Sequence, residues 1–226
     1  MKRAVCIISG GMDSALSAKI AQIDGYELIA VHFNYGQRTE QKELECYRKI
    51  VSSLNIKESY EIPLDFFKQI GATALIDKSL DIPIGGIEDG VPITYVPFRN
   101  GIFISIATAI AEKHGAEALY IGVVEEDSSG YPDCREGYIS SMQKAINLGT
   151  KDETVLEIKM PLVAMKKEQI VKKSLELSVP LADTWSCYQN EDLACGVCDS
   201  CRLRLKGFAN ANSIDPISYI PTSGTE

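Results

Sequence analysis

Two groups of residues in this sequence have the types and spacing to do chemistry. The first is Ser9-Gly10-Gly11-Met12-Asp13-Ser14. Gly10 and Gly11 let the backbone turn sharply and approach a phosphate with no Cβ in the way. Ser9 and Ser14 add hydroxyl donors, and Asp13 can hold the loop shape or a Mg²⁺ beside the phosphates. No lysine follows a second glycine at the Walker spacing, so the loop is of another type. The second group is Cys187, Cys195, Cys198 and Cys201, spaced C-x₇-C-x₂-C-x₂-C. Thiolates repel one another unless a cation sits between them, and the tight turn Cys195-Gly196-Val197-Cys198 brings two ligands together. Four sulfurs match a closed tetrahedral Zn²⁺ site, one per chain, with a structural role. Iron–sulfur clusters also use C-x₂-C-x₂-C, and the spacing alone leaves both open. Zinc is favoured by the nearby fourth cysteine, and by the absence of the further cysteine and proline of the ferredoxin pattern.

A second tier of candidates lies at strand ends and helix starts. Tyr35, Gln37 and Arg38 follow an apolar run and can touch a ligand; His32, at the end of that run, reads as a packed core histidine. Arg99 and Asn100 precede an apolar helix, where arginine can pair with phosphate and asparagine can cap. Lys167 stands near another helix start and can reach a phosphate. The eleven residues Glu125 to Arg135 pack carboxylates, hydroxyls, a phenol, a thiol and a guanidinium into one loop. Its place after a strand marks it as a substrate loop.

These residues need elements to position them. Ala4–Ile8 is short, apolar and β-branched, as in a buried parallel strand, and Ala15–Ile23 has helical spacing. The glycine loop therefore joins a strand to a helix N-terminus, where unpaired N–H groups and the helix dipole favour an anion. Leu28–Phe33 reads as a second strand, Thr39–Leu54 as a helix, Lys57–Ile62 as a third strand and Leu64–Ile70 as a short helix. Residues Thr73 to Tyr95 break the pattern with glycines and prolines and read as an insertion or lid. A helix from Ile102 to His114, a strand over Leu119–Val124, a helix over Glu136–Ile146, a strand over Leu156–Met160 and a helix ending near Leu177 complete the alternation. It predicts an α/β fold, a Rossmann-like parallel sheet covered by helices on both faces, with ligand at the carboxyl ends of the strands. The expected organisation is a nucleotide-binding domain over residues 1–184, a small zinc-binding segment over 185–208 and a tail over 209–226, read as surface or partly disordered.

At 226 residues, 45% hydrophobic and 24% charged, the chain suits one globular domain or one with a small appendage. A net charge of −8 argues against a broad electrostatic grip on nucleic acid. No apolar run reaches the length of a membrane span, and the N-terminal one is interrupted at Ser9. The expected location is the cytoplasm, so the seven cysteines read as thiols or metal ligands rather than disulfides. Cys6 reads as a buried strand residue and Cys46 as a helix residue.

The glycine loop resembles the Ser-Gly-Gly-x-Asp-Ser loop of the ATP pyrophosphatase (N-type) superfamily, which implies an adenine nucleotide alpha hydrolase-like fold and cleavage of ATP between the α and β phosphates. A closer resemblance rests on further stretches: Tyr35-Gly36-Gln37-Arg38, Arg99-Asn100, Ser129-Gly130-Tyr131-Pro132-Asp133-Cys134-Arg135, Thr184-Trp185-Ser186-Cys187, and the cysteine run with Arg202 and Gly207-Phe208. Over about residues 4 to 208 the chain resembles the 7-cyano-7-deazaguanine synthase family of queuosine biosynthesis. Thr39 departs from the histidine expected there. The resemblance implies a ligase that turns 7-carboxy-7-deazaguanine, ammonia and ATP into the nitrile preQ0 through adenylated intermediates. It implies ATP and Mg²⁺ at Ser9, Gly10, Gly11, Asp13, Ser14, Arg99, Asn100 and Lys167. Substrate is expected at Tyr35, Gln37, Arg38, Ser129, Tyr131, Asp133 and Arg135, with Asp13, Asp127, Asp133 and Arg135 as catalytic candidates. Asp127, Asp133 or Arg135 would read the guanine-like edge or the carboxylate, and Tyr131 would stack on the ring. The partners implied are small molecules rather than nucleic acid or membrane; a homodimer is compatible with the sequence, which sets no oligomeric state. Two other classes compete: a tRNA-thiolating enzyme of the same superfamily, and a non-catalytic nucleotide- or zinc-binding module.

Overall fold

The computed structural model describes residues 2–84, 90–125 and 130–221. Within them run β1 (Arg3–Ile7), α1 (Met12–Ile23), β2 (Glu27–Asn34), α2 (Glu40–Ser53), β3 (Glu58–Pro63), α3 (Phe66–Ile70), α4 (Arg99–His114), β4 (Ala118–Tyr120), α5 (Glu136–Gly149), β5 (Glu157–Lys159), α6 (Lys167–Glu176) and α7 (Asp199–Asn210). The five strands form one parallel sheet in the order β3-β2-β1-β4-β5. Successive side chains of β1 alternate between its faces. Val5 and Ile7 pack with Phe103, Ile104 and Ala107 of α4 and Ile139 of α5. Ala4, Cys6 and Ile8 pack with Leu16 of α1, Tyr47 of α2 and Ile170 of α6. Burial on both faces is why the strands read as nearly continuous apolar runs. From β1 the chain crosses to β2 on one side, while β4 lies on the other. The carboxyl ends of β1 and β4 thus flank the crevice where a doubly wound sheet binds ligands.

Several element bounds depart from the sequence expectation, and three of the departures have a clear physical reason. β4 stops at Tyr120, because its ladder with β1 ends at the Cys6–Tyr120 pair, just before β1 turns into the glycine loop. α4 begins at Arg99 rather than Ile102, since the Asp133 carboxylate accepts the Asn100 N–H at 2.9 Å and serves an otherwise orphaned helix donor. α7 has no aliphatic signature, because its buried face is Cys201, Arg204, Gly207 and Phe208. The helical period is present there, but a charged residue stands at its centre.

Two segments are also bound more firmly than expected. In the described part of 73–95, Thr73, Ala74, Leu75, Ile82 and Thr94 are buried, and Ala74 N–H bonds Ile93 C=O. These residues anchor the described part of the segment to the core. The tail folds back through residue 221: Ala194 N–H donates to Ser218 C=O and Ile220 N–H to Ala194 C=O. Asp215 forms an ion pair with Arg204 at 2.7 Å, the two side chains being 3% and 1% exposed. Among the described residues no helix is long and apolar enough to cross a membrane.

Candidate functional site

The glycine loop closes the end of β1 on itself. Ser14 Oγ donates to Gly11 C=O at 2.9 Å and accepts from Ser9 N–H at 3.1 Å, and the Ser9 and Ser14 hydroxyls lie 3.1 Å apart. Gly10 holds φ +93°, and a Cβ built there would stand 2.4 Å from the Glu43 carbonyl oxygen. Both its backbone angle and the closeness of α2 therefore require glycine. Asp13 at the start of α1 receives Lys167 Nζ on one carboxylate oxygen at 2.8 Å. Its other oxygen, Oδ1, is buried with no protein partner. Lys167 reaches this point because α7 presses close: a Cβ on Gly207 would lie 2.6 Å from the Lys167 Cγ.

A cavity of about 300 Å³ opens above this loop at the β1/β4 crevice. Ser9, Gly11, Asp13, Ser14, Tyr35, Gln37, Arg38, Arg99, Asn100, Tyr131 and Lys167 all line it. Gly10 lies beneath, at its turn. Arg99 sits among rings, with its guanidinium 5.6 Å from the Tyr35 centroid and 5.9 Å from those of Phe103 and Tyr131. It donates to Tyr35 Oη at 3.0 Å, and among the described residues no carboxylate lies within ion-pair distance of it. A stacked, unneutralised guanidinium beside a glycine loop is suited to phosphate or carboxylate. Tyr131 is fixed by its hydroxyl donating to Thr94 at 2.9 Å.

Other candidates hold the walls. Arg38 donates through Nη2 to the Asp77 carbonyl at 2.9 Å and also to Leu80, tying the 73–82 segment to the rim. Asp133 is turned away from the cavity onto the α4 N-terminus; burial raises its carboxyl above the usual range despite the Asn100 N–H. Arg135 is exposed and does not line the cavity; its backbone precedes the first turn of α5. Asp127 and Ser129 lie outside the described residues. His32 is a packed residue as expected, its Nδ1 2.9 Å from Ile8 O, its Nε2 3.0 Å from Asn34 Oδ1, its ring stacked on Tyr47. Cys134 lines the cavity 3.2 Å from Asn100 Nδ2, and burial pushes its thiol up to about 11.

Some lining residues are not among the site candidates read from the sequence. Glu43 sits under the glycine loop, one carboxylate oxygen accepting from Thr39 Oγ1 at 2.8 Å and the other from Gln37 Nε2 at 3.1 Å. Burial, opposed by those two hydrogen bonds and by Arg99, pushes its carboxyl up to about 7. In the sequence it is one acid among several in a helix's first turns, so nothing marks it. Trp185, Ser186, Tyr188, Ser200 and Arg204 form a further wall, all from the cysteine-rich segment. Trp185 N–H donates to Gly10 C=O at 2.9 Å, so that segment closes directly on the glycine loop.

The four sulfurs of Cys187, Cys195, Cys198 and Cys201 lie within 4.8 Å of one another. Cys187 Sγ accepts N–H bonds from Gln189, Asn190 and Cys195 at 3.4 Å each, and Cys195 Sγ accepts one from Cys198 at 3.3 Å. Amide donors aimed at sulfur favour thiolates, and four thiolates this close require a cation among them. The donor set fits a metal ion. Asp13 Oδ1, buried beside the glycine loop, is an oxygen donor of the kind a hard cation takes.

The family model described as "Queuosine biosynthesis protein QueC" matches residues 3–212. A 7-cyano-7-deazaguanine synthase of Sulfurovum sp. is 78% identical over 218 residues, covering 96% of this chain and 98% of that protein. Another from Sulfurimonas denitrificans is 64% identical, covering 97% and 98%. Among solved structures, a 4-thiouridine synthetase–RNA complex with bound ATP superposes with a TM-score of 0.52 at 18% identity. That superposition covers 96% of this chain and 47% of the other, and the likeness carries the fold alone.

Proposed function

This chain belongs to the QueC family of queuosine biosynthesis, whose members include the 7-cyano-7-deazaguanine synthases, and from that premise we propose how its residues make a nitrile from 7-carboxy-7-deazaguanine, ammonia and ATP. A carboxylate has no leaving group. Attack of its oxygen on the α-phosphorus supplies one, forming an acyl adenylate and releasing pyrophosphate. Ammonia then displaces AMP to give the amide. Attack of the amide oxygen on the α-phosphorus of a second ATP releases a second pyrophosphate, and loss of AMP and of both amide protons gives the nitrile. The observation that carries this reading is one cavity holding both the glycine loop and an aromatic-stacked, unpaired Arg99.

Backbone N–H groups of residues 9–14 hold the β and γ phosphates as the α–β bond breaks, with Lys167 beside them, and so stabilise the departing charge. Mg²⁺ held by Asp13 would neutralise phosphate charge there. Tyr131 and Tyr35 offer ring faces to the planar base, while Arg99 and Gln37 offer donors to its carboxylate. Asp133 acts at one remove, by holding Asn100 and the start of α4. The four cysteines would hold Zn²⁺ in a structural role, steadying the Trp185–Arg204 wall that Trp185 bonds to Gly10.

Purified protein, free of RNA, is incubated with ATP, ammonium and the carboxylate, and products are identified by mass spectrometry. Nitrile, AMP and pyrophosphate are expected. ADP and phosphate as primary products, or turnover only when tRNA is added, would overturn the reading.

A further inference from the structure

Nitrile formation from the amide has a requirement that the phosphate-binding residues do not meet. Both amide hydrogens leave as protons, and the amide oxygen leaves in AMP. As the C–O bond to AMP breaks, the nitrogen gives up its last proton and its electron pair forms the third C–N bond. A base in the cavity must take that proton.

The geometry points to Glu43 as this general base, an inference that rests on the adenylation reading above. Asp13 is committed to Lys167 and the phosphate loop. Asp199 also lines the cavity, but from the first residue of α7, beside Cys198 on the cysteine-rich wall. The ring nitrogens of His32 face Ile8 O and Asn34 Oδ1. Asp133 faces away from the cavity, onto α4. Glu43 lines the cavity, and its hydrogen-bond partners, Thr39 and Gln37, are neutral donors. They orient the carboxylate without neutralising it. Its main-chain carbonyl packs against Gly10, so its carboxylate enters the cavity from the wall that carries the glycine loop.

The charged and titratable groups acting on it are Arg99 of α4, Tyr35 of the β2–α2 turn and Glu191 of the cysteine-rich segment. Arg99 favours the carboxylate form and Glu191 opposes it, while burial is the larger effect and raises the carboxyl to about 7. A base poised there is half ionised near neutrality, close to the optimum for proton transfer. Activity that needs the carboxylate form therefore rises with pH through about 7 and levels off above it.

The experiment separates the steps. Carboxylate-dependent exchange of labelled pyrophosphate into ATP reports the first adenylation, which transfers no proton. Nitrile formation from the pre-made amide reports the base and avoids the titration of ammonia. Glu43→Gln is expected to keep exchange within about threefold, to lose nitrile formation by about 100-fold or more, and to abolish the acid limb near 7. Glu43→Asp, which keeps a carboxylate, is expected to restore the limb at a reduced rate. Equal losses of exchange and nitrile formation would overturn the assignment in favour of a structural role, as would an unchanged rate. An acid limb that survives in Glu43→Gln would overturn it too. A wild-type enzyme that makes nitrile without carboxylate-dependent exchange would instead overturn the adenylation reading.

Discussion

The two walls of the cavity are built on opposite plans. The glycine-loop wall is local: Ser9, Gly11 and Ser14 satisfy one another within five residues of sequence, on a strand–turn–helix whose anion affinity comes from the helix N-terminus. The cysteine wall adds long-range ties to its local N–H···S bonds. Its sulfurs gather from Cys187 to Cys201, its helix α7 is pinned by a buried Arg204 to Asp215 of the tail, and Trp185 reaches across to Gly10. Arg204 also donates to Thr184 and Ser186, so the tail, α7 and the cavity wall form one network. The first wall rests mainly on bonds within its own loop, whereas the second also draws on a distant buried charge pair and on four thiols suited to a metal ion. The cysteine-rich segment reads as an appendage in the sequence, yet in the folded chain Trp185, Ser186, Tyr188, Ser200 and Arg204 of that segment line the cavity.

The sharpest test of this contrast is metal removal. Chelation, or Cys187→Ser, should abolish activity and strip hydrogen-exchange protection from residues 185–221 while β1 and β2 stay protected, since structural zinc contributes folding free energy outright. Uniform loss of protection, or none, would erase the distinction between the walls. Next in size is Asp215→Ala, which leaves Arg204 charged and buried. It should cost about 3–5 kcal/mol in denaturant unfolding, more than the loss of any exposed ion pair such as Arg48–Glu61. Gly10→Ala tests the local wall. Strain at a positive φ and the clash with Glu43 should cost about 1–3 kcal/mol, seen mainly as weaker ATP binding by calorimetry, with the cysteine wall intact. The smallest effect is expected at Arg135, which is exposed and outside the cavity. Arg135→Ala should change nitrile formation by no more than about two- to threefold, the scale of a surface substitution; a larger loss would move the substrate loop into the site.

The strands, the loop at 9–14 and the cysteine cluster were legible because their signals are short-range. Apolar runs, a glycine pair before a helix and closely spaced thiols each encode a geometry within a few residues. The same holds for Tyr35, Arg99, Asn100, Tyr131 and Lys167, which stand at strand ends or helix starts that the alternation already located, and which the fold brings to one cavity. Glu43 and Arg204 were not legible, since an acid in a helix's first turn and a base on a helix are ordinarily solvated. Asp133 illustrates the converse. It stands in the densest chemical loop of the sequence, yet the fold spends it on the N–H of Asn100. The sequence alone determined which residues can bind an anion or a metal, because residue type and local spacing decide that. Only the tertiary structure decided which of them share a cavity, and which carboxylate is drawn out of water there. Burial and charge depend on chain segments such as 43, 99 and 191 that meet only once the sheet has formed.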